Sequence, residues 1–138
     1  MSSTTARDLK SLTNDARRTI NTSESAPPDG YVDIYLLPVP AKNIEAYRRQ
    51  ATTFGQVAKQ HGALSYREFR GDDLGDNFEV QDGDLLTAAV AEFNSRAHRD
   101  EVMEKVMKDP RVSELVEGEE LAHMDQMRYG GFQTFVNP

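Results

Sequence analysis

Apolar positions along this chain repeat at two spacings, and the order of those spacings outlines the fold. Tyr31–Leu37 (YVDIYLL) is rich in aromatic and β-branched residues and predicts a strand that Pro38 and Pro40 end. Ala41–His61 switches to the helical period. Ile44, Tyr47, Ala51, Phe54 and Ala58 form one stripe with Val57 at its edge, and Gly62 is placed to terminate the helix. Ala63–Arg70 returns to alternation, with Leu64 and Tyr66 on one face and Ala63, Ser65 and Phe69 on the other. Leu85–Asn94 is mostly small and apolar and predicts a strand buried on both faces. Leu86, Ala88, Val90 and Glu92 share one of its faces.

Ser95–Arg111 is the best-formed helix in the pattern. Ser95 can accept a hydrogen bond from a free first-turn N–H, and Asp100 and Glu101 lie early, where the helix dipole favours negative charge. Glu101–Lys105 and Glu104–Lys108 are i,i+4 pairs, and Pro110 makes Asp109 a stop. Val102, Met103, Val106 and Met107 share a face on which Ser95 and Arg99 also fall, with His98 on its flank. Val112–Gly118 reads as one more short helical turn. Met127–Val136 is the last strand, where Gly130-Gly131 calls for a bulge or a close backbone approach.

The resulting order is βαββαβ, the ferredoxin-like arrangement of the α+β class. It predicts a four-stranded antiparallel sheet with both helices on one face, the domain spanning residues 30–138. The opposite face then holds apolar side chains that need cover. Two such sheets packed about a twofold axis supply it, so a homodimer of the dimeric α/β-barrel kind is expected. Residues 1–29 form a polar extension closed by Ala26-Pro27-Pro28-Asp29-Gly30. Leu9, Leu12, Ala16 and Ile20 within it fit a short helix at about 5–20.

Composition narrows the chemistry. The 138 residues carry a formal charge of −7 and no cysteine. Disulfides, thiolate metal sites and a cysteine nucleophile are therefore excluded. No basic cluster follows any face, which argues against nucleic acid and anionic membranes as partners. No apolar run approaches a membrane span, so cytoplasm is the expected location. Gly71–Asp84 carries six acids without the alternate spacing, central glycine and distal glutamate of an EF-hand, and reads as a solvated loop. His61, His98 and His123 are far apart in the sequence, and neither a metal nor a cofactor motif is present.

The candidate site residues follow from position. Arg99 lies in line with a buried stripe. It either covers that stripe with its stem or reaches a buried carboxylate or an anionic ligand. Glu92 closes an otherwise apolar row just upstream and is the partner to test. His98 beside them is either a hydrogen-bonded structural residue or an acid/base group. Tyr66 and Tyr129 can add hydrogen-bond donors.

Seven fragments carry a resemblance: GYVDIYLLPVP (Gly30–Pro40), AYR (Ala46–Arg48), HGAL (His61–Leu64), GDD (Gly71–Asp73), SRAHRD (Ser95–Asp100), KVMKDPR (Lys105–Arg111) and YGGF (Tyr129–Phe132). In this order they resemble the bacterial family called domain of unknown function 1428, from Gly30 to about Val136. The resemblance implies the dimeric α/β-barrel fold and small cytoplasmic proteins without an assigned function. The wider fold group includes cofactor-free monooxygenases, isomerases, haem enzymes and plain binding dimers, so fold alone selects no reaction. The chain departs from the family pattern at Ala58 and Val90, where typical members have tryptophan. It departs again at Glu92, typically apolar, and at Asp125-Gln126, typically a basic pair. Two lost tryptophans imply an enlarged pocket between sheet and helices, with Ala58 and Val90 beside it and Glu92, His98 and Arg99 at its mouth. The expected function is binding of a small organic molecule there, with cofactor-independent catalysis of the isomerase, lyase/cyclase or monooxygenase type. In that scheme Glu92 or His98 is the base and Arg99 holds an oxyanion. A non-catalytic binding or structural homodimer is the alternative.

Overall fold

The computed structural model describes residues 30–138. The expected helix at about 5–20 lies outside the described residues. Within Gly30–Thr134 the elements are β1 (Tyr31–Pro40), α1 (Ile44–Gln60), β2 (Ser65–Arg70), β3 (Asp84–Phe93), α2 (Arg96–Lys108), α3 (Pro110–Glu117) and β4 (Arg128–Gln133). Single 3-10 turns precede α1 and β4. The strand order is β2-β3-β1-β4 and every neighbouring pair is antiparallel. This is the ferredoxin-like α+β fold, with α3 standing where a single helical turn was expected.

The helices cover one side of the sheet. Val57 and Ala58 of α1, Val102 and Val106 of α2, and Val112 of α3 pack with Ala91 and Phe93 of β3 in the main core cluster. A second cluster gathers Leu37, Val39 and Ala122 with Ile44, Tyr47 and Met127. Along β3 the covered side is Thr87, Ala89, Ala91 and Phe93, all buried. The other side is Leu86, Ala88 and Val90, half-buried, ending in exposed Glu92. Among the described residues β3 is therefore not buried on both faces: the three helices lie on one side, and nothing within Gly30–Thr134 covers the other.

Two local predictions shift for identifiable reasons. β1 continues to Pro40 instead of stopping at Leu37. The Pro38 carbonyl accepts from the His123 N–H at 3.0 Å, on the side away from β3. The donor that proline lacks thus faces a stretch where β4 pairing has already ended, at Leu36–Arg128. Pro40 has the same orientation. Met107 lies about 100° round the helix from Val106 and is exposed, so the buried stripe of α2 is narrower than the sequence implied.

The helix ends follow their capping residues. The Ser95 hydroxyl accepts from the His98 N–H at 3.0 Å. At the end of α1, Gly62 takes φ +123°, and the Ala63 N–H reaches back to the Ala58 carbonyl. Asp109 stops α2 and caps α3 through the Arg111 N–H. Its carboxylate also accepts from the Arg111 guanidinium, at 2.8 Å from Nη2, and lies 2.9 Å from His61 Nε2. Those hydrogen bonds, Arg111 first, hold the Asp109 carboxyl well below the usual carboxylate range. His61 thus joins the end of α1 to the α2–α3 junction.

Candidate functional site

The helix side of the sheet has small residues at its centre and large polar ones at its flanks. One register row reads Glu68, Ala89, Tyr35, Tyr129 across β2, β3, β1 and β4. The next reads Tyr66, Ala91, Asp33, Gly131. The two alanines of β3 make a low floor, and hydroxyls and carboxylates rise on either side of it.

On the β1 side, Asp33 is 3% exposed. Arg99 Nη1 donates to Asp33 Oδ1, and Arg99 Nε donates to Asp100 Oδ1 at 2.8 Å. Burial pushes the Asp33 carboxyl up, while the charge and hydrogen bond of Arg99 pull against that rise. The hydrogen bond to Asp100, followed by the charge of Asp33, raises the Arg99 guanidinium. Arg99 also lies over the Tyr31 ring, 5.0 Å from its centroid. Tyr31 in turn lies across Gly131, where an added Cβ would sit 2.0 Å from the Tyr31 hydroxyl oxygen. Gly130-Gly131 is therefore a close approach and not a bulge. Tyr35 contacts Asp33 at 3.5 Å and stacks on Tyr129 at 5.6 Å between centroids. Burial, with Asp33 alongside, pushes the Tyr35 phenol up to about 12.

On the β2 side, a cleft of about 530 Å³ opens between α1 and β2. Its polar centre is Glu68, which accepts from the Tyr47 hydroxyl at 2.7 Å and from the Tyr66 hydroxyl at 2.5 Å. Burial, then the Glu68 charge, raises both phenols, so both remain protonated donors at neutral pH. Gly55 makes room for the Tyr66 ring, since a Cβ there would fall 2.5 Å from Tyr66 Cδ1.

The expected site residues divide among these places. Arg99 does reach a buried carboxylate, but it is that of Asp33. Glu92 projects from the uncovered face of the sheet, where its Oε1 accepts from the Ser65 hydroxyl at 2.6 Å. Strand alternation puts it with Val90 on the side away from the helices, so the structure does not bring Glu92, His98 and Arg99 together at one pocket mouth. The His98 Nδ1 accepts from the Asn94 N–H at 2.9 Å, and its ring stands edge-on to Phe93 at 6.0 Å. Tyr66 lines the cleft. Tyr129 lies at the opposite edge of the sheet and is 70% exposed. Ala58 is sealed in the main core, so a smaller residue there has not opened the cleft. Asp33, Tyr47 and Glu68 were not singled out from the sequence. The readable signal was alternation: Asp33 shares parity with Leu37 and Val39, both buried.

Among the described residues no group of three or more His, Cys, Asp or Glu is placed to hold a metal ion. No helix among them is long and apolar enough to cross a membrane.

Sheet order and one-sided helices define a ferredoxin-like α+β protein with a polar cleft on its helix side. More particularly, the chain belongs to the family described as "Protein of unknown function (DUF1428)", whose model matches residues 30–126. It is 29% identical over 116 residues to the uncharacterized protein YbaA of Escherichia coli strain K12, a match covering 78% of this chain and 97% of YbaA. Among solved structures it is similar to a nipsnap family protein of unknown function from Agrobacterium tumefaciens. That likeness has TM-score 0.54 and 19% identity, over 77% of this chain and 88% of that one. A dimeric ferredoxin-like protein from an uncultured marine organism is also similar, with TM-score 0.52 and 14% identity, over 82% of this chain and 100% of that one. Likeness at these identities is one of fold.

The fit at Gly55 yields a prediction of sign. Replacing a glycine inside a helix by alanine ordinarily stabilises it by about 1 kcal/mol. Here Gly55→Ala must displace the Tyr66 ring and is expected to destabilise by about 1–3 kcal/mol in urea unfolding. In a Tyr66→Ala background the same change becomes stabilising. A stabilised single variant would contradict the described packing.

Proposed function

We propose that this protein binds a small organic molecule in the cleft between α1 and β2, with Glu68 as the polar anchor. The observation that carries the reading is the pair of tyrosine hydroxyls held on one carboxylate in the wall of a cleft of about 530 Å³. That volume lies within the usual range of ligand pockets. Each Glu68 oxygen takes one tyrosine donor and keeps capacity for another, so a ligand hydroxyl or N–H has an acceptor ready. A carboxylate beside two protonated phenols also suits proton transfer to and from a carbon acid. This is chemistry of the isomerase or lyase class, which requires no organic cofactor.

The working unit in this proposal is a homodimer built on the uncovered sheet face. Val32, Ile34, Leu36, Leu86, Ala88 and Val90 lie half-exposed there. Phe69 and Phe132, on the same face by register, are 45% and 55% exposed. A second copy of the same face is self-complementary cover for such a surface.

Two measurements test this. In an amide NMR fragment screen of the full chain, binders are expected to shift Arg48–Lys59 and Tyr66–Arg70, and Glu68→Gln to weaken them at least about tenfold. Binders that map only elsewhere, or none at all, would refute the cleft. In sedimentation velocity the protein is expected to run as a dimer and Ile34→Glu as a folded monomer. A monomeric wild type would refute the assembly.

A further inference from the structure

We infer that the molecule bound in this cleft is an organic anion, a small carboxylic acid that also carries a hydroxyl group. The inference rests on the small-molecule reading above and names its ligand class. It is carried by a local reversal of charge. The chain as a whole has 23 acidic against 16 basic side chains. The cleft is lined by Arg48, Lys59, Arg67 and Arg70, against the single carboxylate of Glu68. Arg48, Lys59 and Arg70 are solvent-exposed at its rim, where a field of one sign draws in ligands of the other, whereas Arg67 shares the side of β2 that carries Phe69.

Two of the four are already engaged. Arg48 pairs with Glu45 at 3.2 Å, and Arg67 lies over the Phe69 ring at 5.1 Å. Among the described residues Lys59 and Arg70 are the cations left to meet a carboxylate, one from the last turn of α1 and one from the end of β2.

Among the described residues the outer edge of β2 pairs with no strand, and it adds neutral donors. The Gly71 N–H donates to the Leu86 carbonyl, which assigns the odd-numbered peptide groups of β2 to β3. The even-numbered ones, Glu68 and Arg70 among them, therefore turn their N–H groups outward along the cleft. A carboxylate set against Glu68 itself would be repelled. The acid end of the ligand accordingly belongs at the cationic rim, and its hydroxyl end at the open acceptor positions of Glu68.

The test compares 4-hydroxybenzoate with its neutral analogue 4-hydroxybenzyl alcohol by amide NMR titration of the full chain at low salt. The acid is expected to bind the cleft about tenfold tighter than the alcohol. The preference should largely vanish in Lys59→Gln/Arg70→Gln and on addition of salt. Equal affinities for both compounds in the cleft would overturn the acid class and leave small-molecule binding intact. No cleft shift with either compound would overturn the binding reading along with the inference.

Discussion

The ion pair between Asp33 and Arg99 is the constraint on which the arrangement depends. Asp33 sits inside β1 on the covered face, and a buried carboxylate is tolerated only with a partner. Arg99 supplies it from the first turn of α2, the turn that the Ser95 cap positions. α2 itself buries little beyond Val102 and Val106, so its first turn is tied down electrostatically more than by packing. Arg99 then covers Tyr31, and Tyr31 requires Gly131 in β4. One charge pair thus registers α2 against β1 and, through a single ring, against β4. Three of the fragments that resemble the family, GYVDIYLLPVP, SRAHRD and YGGF, meet at this point.

The cleft on the other flank of the sheet follows from the same two register rows. Ala89 and Ala91 keep the centre low, which lets Tyr66 lean over the sheet under Gly55. Tyr47 comes down from α1 to share the Glu68 carboxylate. Polar groups therefore occupy both flanks of a face whose remainder is aliphatic core. Such groups are costly to bury and contribute modest net stability.

Much of the fold was legible because local signals agreed with one another. The alternation of periods gave the element order, Ser95 and Gly62 marked helix ends, and Asp109-Pro110 marked a stop, although α3 starts at Pro110 and not at Val112 as the pattern implied. The face of a residue was harder to read than its element. Glu92 was assigned correctly to the row of Val90, but the sequence does not say which row the helices cover. That depends on pairing between distant strands. Asp33 illustrates the same difficulty from the other side. An acid in a strand resembles a solvent-facing residue until Leu37 and Val39 place its row inside. The prolines of β1 marked a boundary only for β4, because β3 pairs with the peptide groups that proline leaves intact.

The direct test of this account is a double-mutant cycle on Asp33 and Arg99, read by urea unfolding of the full chain. Arg99→Ala alone strands a buried carboxylate and is expected to cost about 3–5 kcal/mol. Asp33→Ala alone should cost less, since Arg99 can turn toward solvent and Asp100. The double variant should be little worse than Arg99→Ala, giving a coupling energy of about 2 kcal/mol or more. Additive losses with coupling near zero would show that the pair does not hold α2 to the sheet, and would contradict the account.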